Sequence, residues 1–312
     1  MQRRLPVRLL SCIACCCYLF IAGCSTSKQL SKPTRMAAEL DLQGHRGCRG
    51  LLPENSIPAM IRALDFPVTT LEMDVVISQD NQVVVSHDPF FSHEISTTPE
   101  GDSIAEAGEQ QFNLYKLTYA DIRKFDVGSK LHPRFPQQQK IKTYKPLLRE
   151  LIDSVKTYMM TRRRPFPYFN IETKTTAATD HRFHPEPETF VELLMQVIRE
   201  KDISDQCIIQ SFDIRTLQYL HQHYPSMATA LLIEEGDERS IDTQLKTLGF
   251  TPTIYSPHYS LATPATIQIC HQRGMKIIPW TVNDLTTMQT LVANGVDGLI
   301  SDYPNLYVDL KQ

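Results

Sequence analysis

Short apolar runs alternate with longer amphipathic runs from about residue 40 to residue 304. Several short runs end in a polar residue, which is typical of buried parallel strands that reach a site at their carboxyl ends. In "PETFVELLMQVIREK", apolar residues from Phe190 to Ile198 recur with the spacing of one helix face. This alternation predicts an α/β fold with a mainly parallel sheet. The candidate strands are "LDLQGH", "TTLEMDVVIS", "QVVVSHD", "YFNIETK", "QCIIQSF", "ATALLIE", "TIYSPHY", "KIIPWTV" and "VDGLISD".

Two consecutive candidate strands, "TTLEMDVVIS" and "QVVVSHD", are separated by only a few residues around Asp80. A parallel pair needs a crossover of about a dozen residues, so these two form an antiparallel hairpin. Counting the hairpin as one barrel strand with an arm leaves eight strands. The chain therefore predicts a TIM (β/α)8 barrel over residues 40–312. A polar stretch at about 89–143, after the third strand, is an insertion of the kind that often carries function. Within it, "KLTYADIRKF" predicts a helix capped by Thr118.

The first residues have the pattern of an export signal. Arg3, Arg4 and Arg8 precede the apolar run "LLSCIACCCYLFIAG", which is short for a membrane span. The run ends in "IAGC", which is similar to a bacterial lipobox. This predicts a lipoprotein signal peptide over residues 1–23, lipidation of Cys24, and a flexible tether over residues 24–39. The expected location is the bacterial cell envelope, anchored to a membrane and facing the periplasm or the exterior. The alternative is an ordinary secretory leader with an incidental cysteine.

Composition changes this picture little. The chain has 42% hydrophobic and 21% charged residues, which is ordinary for a globular protein. The net charge is −3, and it becomes −6 after Cys24 because three of the 32 basic residues precede that position. A mildly acidic mature chain argues against nucleic acid as the main partner. Beyond Cys24 only Cys48, Cys207 and Cys270 remain, which leaves one disulfide open and excludes a disulfide framework. The sequence gives no signal of oligomeric state.

Two strands carry carboxylates in a pattern that suits a metal. In "LEMD", Glu72 and Asp74 point to the same side of a strand, and paired carboxylates inside a barrel repel unless a cation lies between them. In "NIETK", Glu172 and Lys174 also share one face. Oxygen ligands suit Mg²⁺ or Ca²⁺, so Glu172 is a candidate third ligand and Lys174 a candidate phosphate contact. The alternatives are a solvated strand edge for the first pair and a simple ion pair for the second.

Two histidines lie where strands end. His45 and Arg46 follow the first strand, and His87 ends the third. Folding the hairpin about Asp80 places His87 near Glu72. A histidine beside carboxylates titrates in a range useful for proton transfer, so His45 and His87 are candidate acid and base. Arg46 is a candidate fork for a phosphate. A structural role remains the alternative for His87.

Four further residues are candidates for the site, and Asn55 and Trp280 each have two interpretations. Gly47 is expected to let the backbone approach a ligand closely. Glu54 and Asn55 open the first helix, where they either contribute to an anion site or, for Asn55, cap the helix. Trp280, the only tryptophan, is either core or the wall of a polyol pocket.

Taken in order, several stretches resemble the glycerophosphodiester phosphodiesterase family, which belongs to the phospholipase C-like phosphodiesterase superfamily. The resemblance covers about residues 40 to 304. It implies a TIM barrel with an insertion, a divalent metal, Ca²⁺ or Mg²⁺, and hydrolysis of glycerophosphodiesters to glycerol 3-phosphate and an alcohol. The matching stretches are "GHRG…PENS", "LEMDVVISQDNQVVVSHDP", "KPLLRELI", "NIETK", "IIQSFD", "PWTVND" and "GVDGLISDYP".

The resemblance also implies roles for individual residues. It assigns metal ligation to Glu72, Asp74 and Glu172, acid–base catalysis to His45 and His87, and substrate contacts to Arg46, Glu54 and Lys174. Related phospholipases favour His45 as base and His87 as acid.

Substrate choice stays open at the sequence level. Cys48 and Arg49 stand where small residues are common in the family, so we expect them to narrow the alcohol side of the pocket. A related lipid phosphodiesterase, similar to phosphatidylinositol-specific phospholipase C or to sphingomyelinase D, is the alternative enzyme. A lipid-anchored binding protein without catalysis is the alternative of another class.

Overall fold

The strands predicted from the sequence form a nearly closed barrel in the computed structural model, which describes residues 40–310. Eight strands are parallel and follow the order β8-β7-β6-β5-β4-β2-β1-β9, with β3 paired to β2 outside this path. Backbone hydrogen bonds join the ends of the order: Asp297 N donates to Ile277 O (2.9 Å) and Ile300 N donates to Pro279 O (3.0 Å). The strands are β1 Asp41–Gly44, β2 Thr70–Ile77, β3 Val83–Val85, β4 Tyr168–Thr173, β5 Cys207–Ser211, β6 Ala228–Ile233, β7 Ile254–Pro257, β8 Lys276–Ile277 and β9 Gly298–Ser301.

The hairpin expected between the second and third strands is confirmed. β2 and β3 pair antiparallel, with Val75 opposite Val85 and Ile77 opposite Val83. All eight residues of β2 are buried, because the strand is covered on both faces. The predicted alternation of strands and helices, and the count of eight barrel strands, are therefore both confirmed.

Helices surround the barrel and return the chain from the carboxyl end of one strand to the amino end of the next. Their caps follow the sequence signals: Ser240 accepts a hydrogen bond from Thr243 N, and Gly249 ends α6 in the left-handed conformation. The helices are α1 Ile57–Ala63, α2 Tyr119–Ile122, α3 Leu148–Thr161, α4 Pro187–Glu200, α5 Ile214–His223, α6 Ile241–Leu248, α7 Pro264–Gln272 and α8 Leu285–Asn294.

The inside of the barrel has an apolar part and a polar part. Ile208, Ile254 and Ile300 belong to a small apolar cluster. Asn170 bridges the polar part, because its Nδ2 donates to Gln43 Oε1 (2.8 Å) and to Gln210 Oε1 (2.9 Å). This polar bridge leads from the interior to the carboxyl ends of the strands.

The insertion has its own hydrophobic cluster. Buried residues of the insertion pack against the hairpin arm, and the rings of Phe91 and Phe125 stack at 3.9 Å between centroids. Helix α2 lies in this segment and is capped by Thr118, as predicted, although it spans only one turn. The cluster consists of Val76, Val84, Phe91, Ile104, Leu114, Ile122, Phe125 and Val127.

The predicted signal peptide, Cys24 and the tether over residues 24–39 lie outside the described residues. Between residues 40 and 310, no helix combines the length and the apolar character needed to cross a membrane. In the same range Cys48, Cys207 and Cys270 are all buried free thiols.

Candidate active site

Three carboxylates meet near the carboxyl ends of two neighbouring strands. Glu72 and Asp74 lie on β2, and Glu172 lies directly beside Asp74 on β4. One oxygen of each lies within 4.8 Å of an oxygen of each of the others, and all three side chains are buried. An oxygen-only donor set of this size is what Ca²⁺ and Mg²⁺ prefer. The cluster can therefore hold a divalent cation.

The pKa values of the cluster show why a cation fits it. Burial, together with the charge of Asp74, raises the pKa of Glu72 well above its usual range. Burial also raises the pKa of Glu172 to about 7, although Lys174 opposes the shift. Burial alone would raise the pKa of Asp74, but the nearby positive charges, that of Arg46 first, and the hydrogen bond from Asn55 together outweigh burial and lower that pKa. Three buried carboxylates do not readily hold three negative charges without added positive charge, so the residues present fit a divalent ion.

Neighbouring side chains hold the carboxylates in place. Asn55 makes two hydrogen bonds to Asp74: its Nδ2 donates to Asp74 Oδ2 (2.8 Å), and its Oδ1 accepts from Asp74 N (3.2 Å). Gln210 Nε2 donates to Glu72 Oε1 (2.8 Å), and Arg46 N donates to Glu72 Oε2 (2.7 Å). Such outer contacts orient metal-binding carboxylates and strengthen their binding.

His45 is held by a buried carboxylate at the end of β9. Its Nδ1 donates to Asp302 Oδ1 (2.6 Å), and the same carboxylate accepts from Arg49 Nε (2.9 Å) and Asn283 Nδ2 (2.8 Å). Burial lowers the pKa of His45 to about 4, even though Asp302 opposes the shift. Since Nδ1 carries the proton, Nε2 carries a lone pair, and it lies 3.9 Å from Glu72 Oε2. His45 can therefore accept a proton beside the acidic cluster.

His87 lies at the end of the hairpin arm, just after β3. Its Nδ1 lies 2.9 Å from Asp88 Oδ1. Burial lowers the pKa of His87, and the charges of Arg46 and Lys174 lower it further. Because Nδ1 of His87 is paired with Asp88, Nε2 is the ring nitrogen that is left to contact a substrate.

Two cations lie against the cluster. Arg46 Nη1 donates to Glu54 Oε1 (2.8 Å), and its Nε lies 3.2 Å from Asp74 Oδ2. Lys174 Nζ donates to Glu172 Oε1 (2.7 Å) and lies 3.8 Å from Asp74 Oδ1. Both cations can also reach an anion that approaches the carboxylates from the cavity.

A cavity of about 460 Å³, called the main cavity below, opens beside the cluster. Trp280 forms part of its wall and is fixed there, because its Nε1 donates to Ser256 O (2.9 Å) and its ring meets Phe212 edge-on at 5.5 Å. Of the predicted site residues between 40 and 310, Glu54 and Asp74 do not line this cavity, and seven do: His45, Arg46, Glu72, His87, Glu172, Lys174 and Trp280.

Two local expectations are corrected by the structure, and a third stays a prediction. Ser56, not Asn55, caps α1 by accepting from Ala59 N. Gly47 has φ +85°, and a Cβ there would lie 2.7 Å from the backbone of Ala59, so packing already requires glycine, while its approach to a ligand stays a prediction. Cys48 is fully buried in the core, so it cannot narrow the pocket, whereas Arg49 does line the main cavity.

Sequence reasoning missed several residues that shape the site. Asp302 follows the last strand in "GLISD", so its position after an apolar run was a usable signal. Gln210 lies on β5 and points into the polar interior. Alternation along a strand shows which residues share a face, but it does not show which face is the inner one. Arg134 belongs to the insertion and lines the main cavity; no periodic pattern marks it.

Comparison with known proteins agrees with this geometry. Residues 45–306 match the model of the glycerophosphoryl diester phosphodiesterase family. A glycerophosphodiester phosphodiesterase of Caldanaerobacter subterraneus subsp. tengcongensis is 27% identical over 268 residues, which cover 85% of this chain and 95% of the relative. A Bacillus subtilis protein of the same name is 25% identical over 275 residues, covering 86% and 85%.

Solved structures share the fold. A protein from Silicibacter pomeroyi superposes with a TM-score of 0.78 at 26% identity, covering 88% of this chain and 94% of its own. An Oleispira antarctica phosphodiesterase, solved with its product sn-glycerol-3-phosphate, gives a TM-score of 0.67 at 21% identity over 86% and 95% of the two chains. The family match spans most of the chain, so this protein belongs to the glycerophosphoryl diester phosphodiesterase family.

Proposed function

We propose that this protein hydrolyses glycerophosphodiesters to sn-glycerol 3-phosphate and an alcohol, with a divalent cation held by Glu72, Asp74 and Glu172. The observation that carries the proposal is the buried carboxylate cluster flanked by His45 and His87 at one cavity. The named relatives support the reaction class, and the product complex of the Oleispira enzyme supports the substrate class.

Binding of the phosphodiester follows from the charges at the cluster. Arg46 offers a planar fork, and Lys174 a point charge, to the phosphate oxygens. When bound, a divalent ion adds positive charge that offsets the charge gained by the phosphate in the transition state. Trp280 packs against the glycerol moiety and excludes water from one side.

Proton transfer is assigned to the two histidines. His45 Nε2 takes a proton from the nucleophile, which is water or the neighbouring glycerol hydroxyl, while Asp302 holds the ring in the required tautomer. The nucleophile's oxygen forms a new bond to phosphorus as the bond to the alcohol oxygen breaks. His87, protonated at Nε2, donates that proton to the leaving oxygen. When the nucleophile is the glycerol hydroxyl, this step yields a cyclic glycerol phosphate, and a second step, in which water opens the ring with the two histidine roles exchanged, gives glycerol 3-phosphate.

A substrate panel tests the proposal directly. Wild-type protein with Ca²⁺, Mg²⁺ or Mn²⁺ is expected to release sn-glycerol 3-phosphate from at least one glycerophosphodiester, and a chelator is expected to abolish release. Intact phosphatidylinositol and sphingomyelin serve as the comparison substrates. Cleavage of these lipids without release from any glycerophosphodiester would instead support the related lipid phosphodiesterases. No release from any substrate would overturn the proposed activity.

Substitution of the histidines tests their roles. His45→Ala and His87→Ala are each expected to lower kcat by about 10²–10⁴-fold, the range of a single acid or base. His223→Ala is the matched control, because His223 is exposed at the end of α5 and lies outside the main cavity. Circular dichroism verifies the fold of each variant. Near-wild-type turnover of both His45→Ala and His87→Ala would show that the acid–base assignment is wrong.

We also propose that Cys24 is lipidated and anchors the enzyme to a membrane of the bacterial envelope. The basic, apolar and small-residue segments that precede Cys24 support this, and the polar run after it has the character of a tether. The expected substrates are then diesters available at that membrane's outer or periplasmic side.

A further inference from the structure

A second cavity, of about 220 Å³, adjoins the main cavity and is called the side cavity below. Most of its lining comes from the insertion, including Phe90, Glu94 and Glu109. Three residues line both cavities: Arg46, His87 and Arg134. The two cavities therefore meet at Arg46, which is assigned to the phosphate, and at His87, which is assigned to the leaving oxygen.

A phosphodiester has two substituents on phosphorus, and the two cavities offer one place for each. The main cavity contains the acidic cluster and the Trp280 wall, which suit the glycerol side. A leaving oxygen that takes its proton from His87 lies against that residue, and the side cavity is the second space that His87 lines. The alcohol therefore belongs in the side cavity if glycerol occupies the main one.

The side cavity contains polar groups that lack partners. Glu54 and His132 are 8% and 2% exposed, and both line the cavity. Among residues 40–310, Glu54 Oε2 accepts no hydrogen bond and His132 Nε2 makes none. The nearest ionic neighbours of Glu54 Oε2 are Arg49 Nη1 at 3.8 Å and His132 Nε2 at 4.0 Å. Buried polar atoms of this kind normally have a partner, so the cavity is built to receive one.

Four carboxylates that line the side cavity each have one oxygen left to accept a hydrogen bond. Glu94 Oε2 accepts from Arg134 Nη2 (3.4 Å), and Glu109 Oε2 accepts from His93 N (2.9 Å), with His93 Nδ1 at 2.7 Å. Asp88 and Glu54 likewise each use one oxygen, toward His87 and Arg46. Within the described residues the second oxygen of each of these four carboxylates accepts no side-chain hydrogen bond. The lining also contains two buried donors that make no hydrogen bond within the described residues, His132 Nε2 and Arg46 Nε, of which the second lies 3.2 Å from Asp74 Oδ2.

The charges of the residues that line the side cavity also favour a positively charged ligand. Four carboxylates and two arginines line the side cavity, so these six groups together carry a formal charge of −2, and the sum stays negative when His87 carries the proton that it donates. Two lysines approach from outside the lining, where Lys130 donates to the His93 carbonyl and Lys145 to Ser86 Oγ. Phe90 adds an aromatic surface, which attracts cations.

We propose that the side cavity binds the leaving alcohol and selects a small amino alcohol of the ethanolamine type. An ammonium group brings three N–H donors to acceptor-rich walls and a positive charge to a negative lining. Glu94 and Glu109 are the specificity-determining residues in this assignment. The inference rests on the proposed phosphodiesterase activity and adds the class of alcohol to it.

The test compares two substrates that differ only in the alcohol: glycerophosphoethanolamine, which carries an ammonium group, and glycerophosphoglycerol, which is neutral there. The wild-type enzyme is expected to favour the first in kcat/KM. Glu109→Gln and Glu94→Gln are each expected to lower that preference about tenfold, the effect of one charge-assisted hydrogen bond. Glu106→Gln is the matched control, since Glu106 is exposed on the same short 3₁₀ helix as Glu109.

The outcomes separate the two proposals. Release of glycerol 3-phosphate from neither substrate contradicts the proposed activity itself. Hydrolysis of both substrates without a preference for the amino alcohol, or with a preference that both glutamine variants retain, overturns the side-cavity assignment while the activity stands. A preference lost in the glutamine variants and kept in Glu106→Gln supports it. The two glutamine variants change different parts of the wall, so loss of folding in one leaves the other as the test.

Discussion

At the scale of single residues, Asn55 holds the acidic cluster together more directly than its position in the sequence suggests. Its side chain bonds both the carboxylate and the backbone of Asp74, and it is 4% exposed. It also adopts a left-handed backbone conformation, with φ +54°. Asparagine tolerates this conformation better than most residues. Asn55 therefore provides both the left-handed turn and the two hydrogen bonds to Asp74, which are together called the clamp below.

Two substitutions at Asn55 separate these contributions. Asn55→Gly and Asn55→Ala both remove the clamp, so each is expected to weaken Ca²⁺ binding by about 10–100-fold. Asn55→Ala is also expected to lose about 1–2 kcal/mol of unfolding free energy relative to Asn55→Gly, because alanine is strained in the left-handed region. Calorimetric titration of Ca²⁺ and urea unfolding measure the two effects. Wild-type Ca²⁺ affinity in both variants would contradict the role of Asn55.

The positions of some site residues could be predicted from the sequence, and those of others could not. Glu72, Asp74 and Glu172 were predictable, because period-two spacing on apolar strands and the shared edge of parallel strands fix where such side chains meet. Asn55 and Ser56 are both common caps, so the sequence could not show which of them caps α1. The contact between His45 and Asp302 joins positions 257 residues apart. Nothing local marks such a pair until the barrel closes.

At the scale of elements, the insertion is anchored by the hairpin arm. Val76 on β2 and Val84 on β3 belong to the same apolar cluster as Phe91 and Phe125 of the insertion. The arm thus gives the insertion a hydrophobic base, and the insertion in turn supplies most of the side-cavity wall. The hairpin was predictable from its short turn, whereas the cluster was not, because the insertion lacks the regular spacing that reveals a buried face.

Removing one stacked ring tests this anchoring. Phe91 is fully buried, so Phe91→Ala is expected to cost about 3–5 kcal/mol of unfolding free energy and to expose residues 89–143 to proteases. Phe166→Ala is the control: that ring is 39% exposed, and its loss is expected to change stability by about 0.5 kcal/mol or less. Urea unfolding and limited proteolysis measure both. An unchanged unfolding midpoint and cleavage pattern for Phe91→Ala would contradict an anchoring role.

At the scale of the whole molecule, the site depends on closure of the barrel. Its parts come from β1, β2, β4, β5 and β9, with His87 after β3 and Trp280 after β8. The parallel pairing of the first strand, β1, with the last strand, β9, brings Asp302 to His45. The strand order was predictable because parallel strands in consecutive βα units lie side by side. The two cavities could not be predicted from the sequence, since their shapes depend on side chains from the insertion and the loops.

The proposed attachment of the whole molecule to a membrane depends on a single atom, the Sγ of Cys24. Lipidation at one cysteine would retain the whole barrel at a membrane through the tether of residues 24–39. Cys24→Ser is therefore expected to move the enzyme from the membrane fraction of expressing bacteria to the aqueous fraction. Its specific activity should stay at the wild-type level, because the acidic cluster and both histidines lie within residues 45–172.

Cys15→Ser is the matched control for this substitution, since Cys15 lies in the apolar run of the same leader and is not followed by the tether. It is expected to leave the distribution between fractions unchanged. Metabolic labelling with a radioactive fatty acid adds an independent measurement, because label should enter the wild-type and Cys15→Ser proteins and be lost from Cys24→Ser. Retention of Cys24→Ser in the membrane fraction, with label still incorporated, would show that another part of the chain carries the anchor.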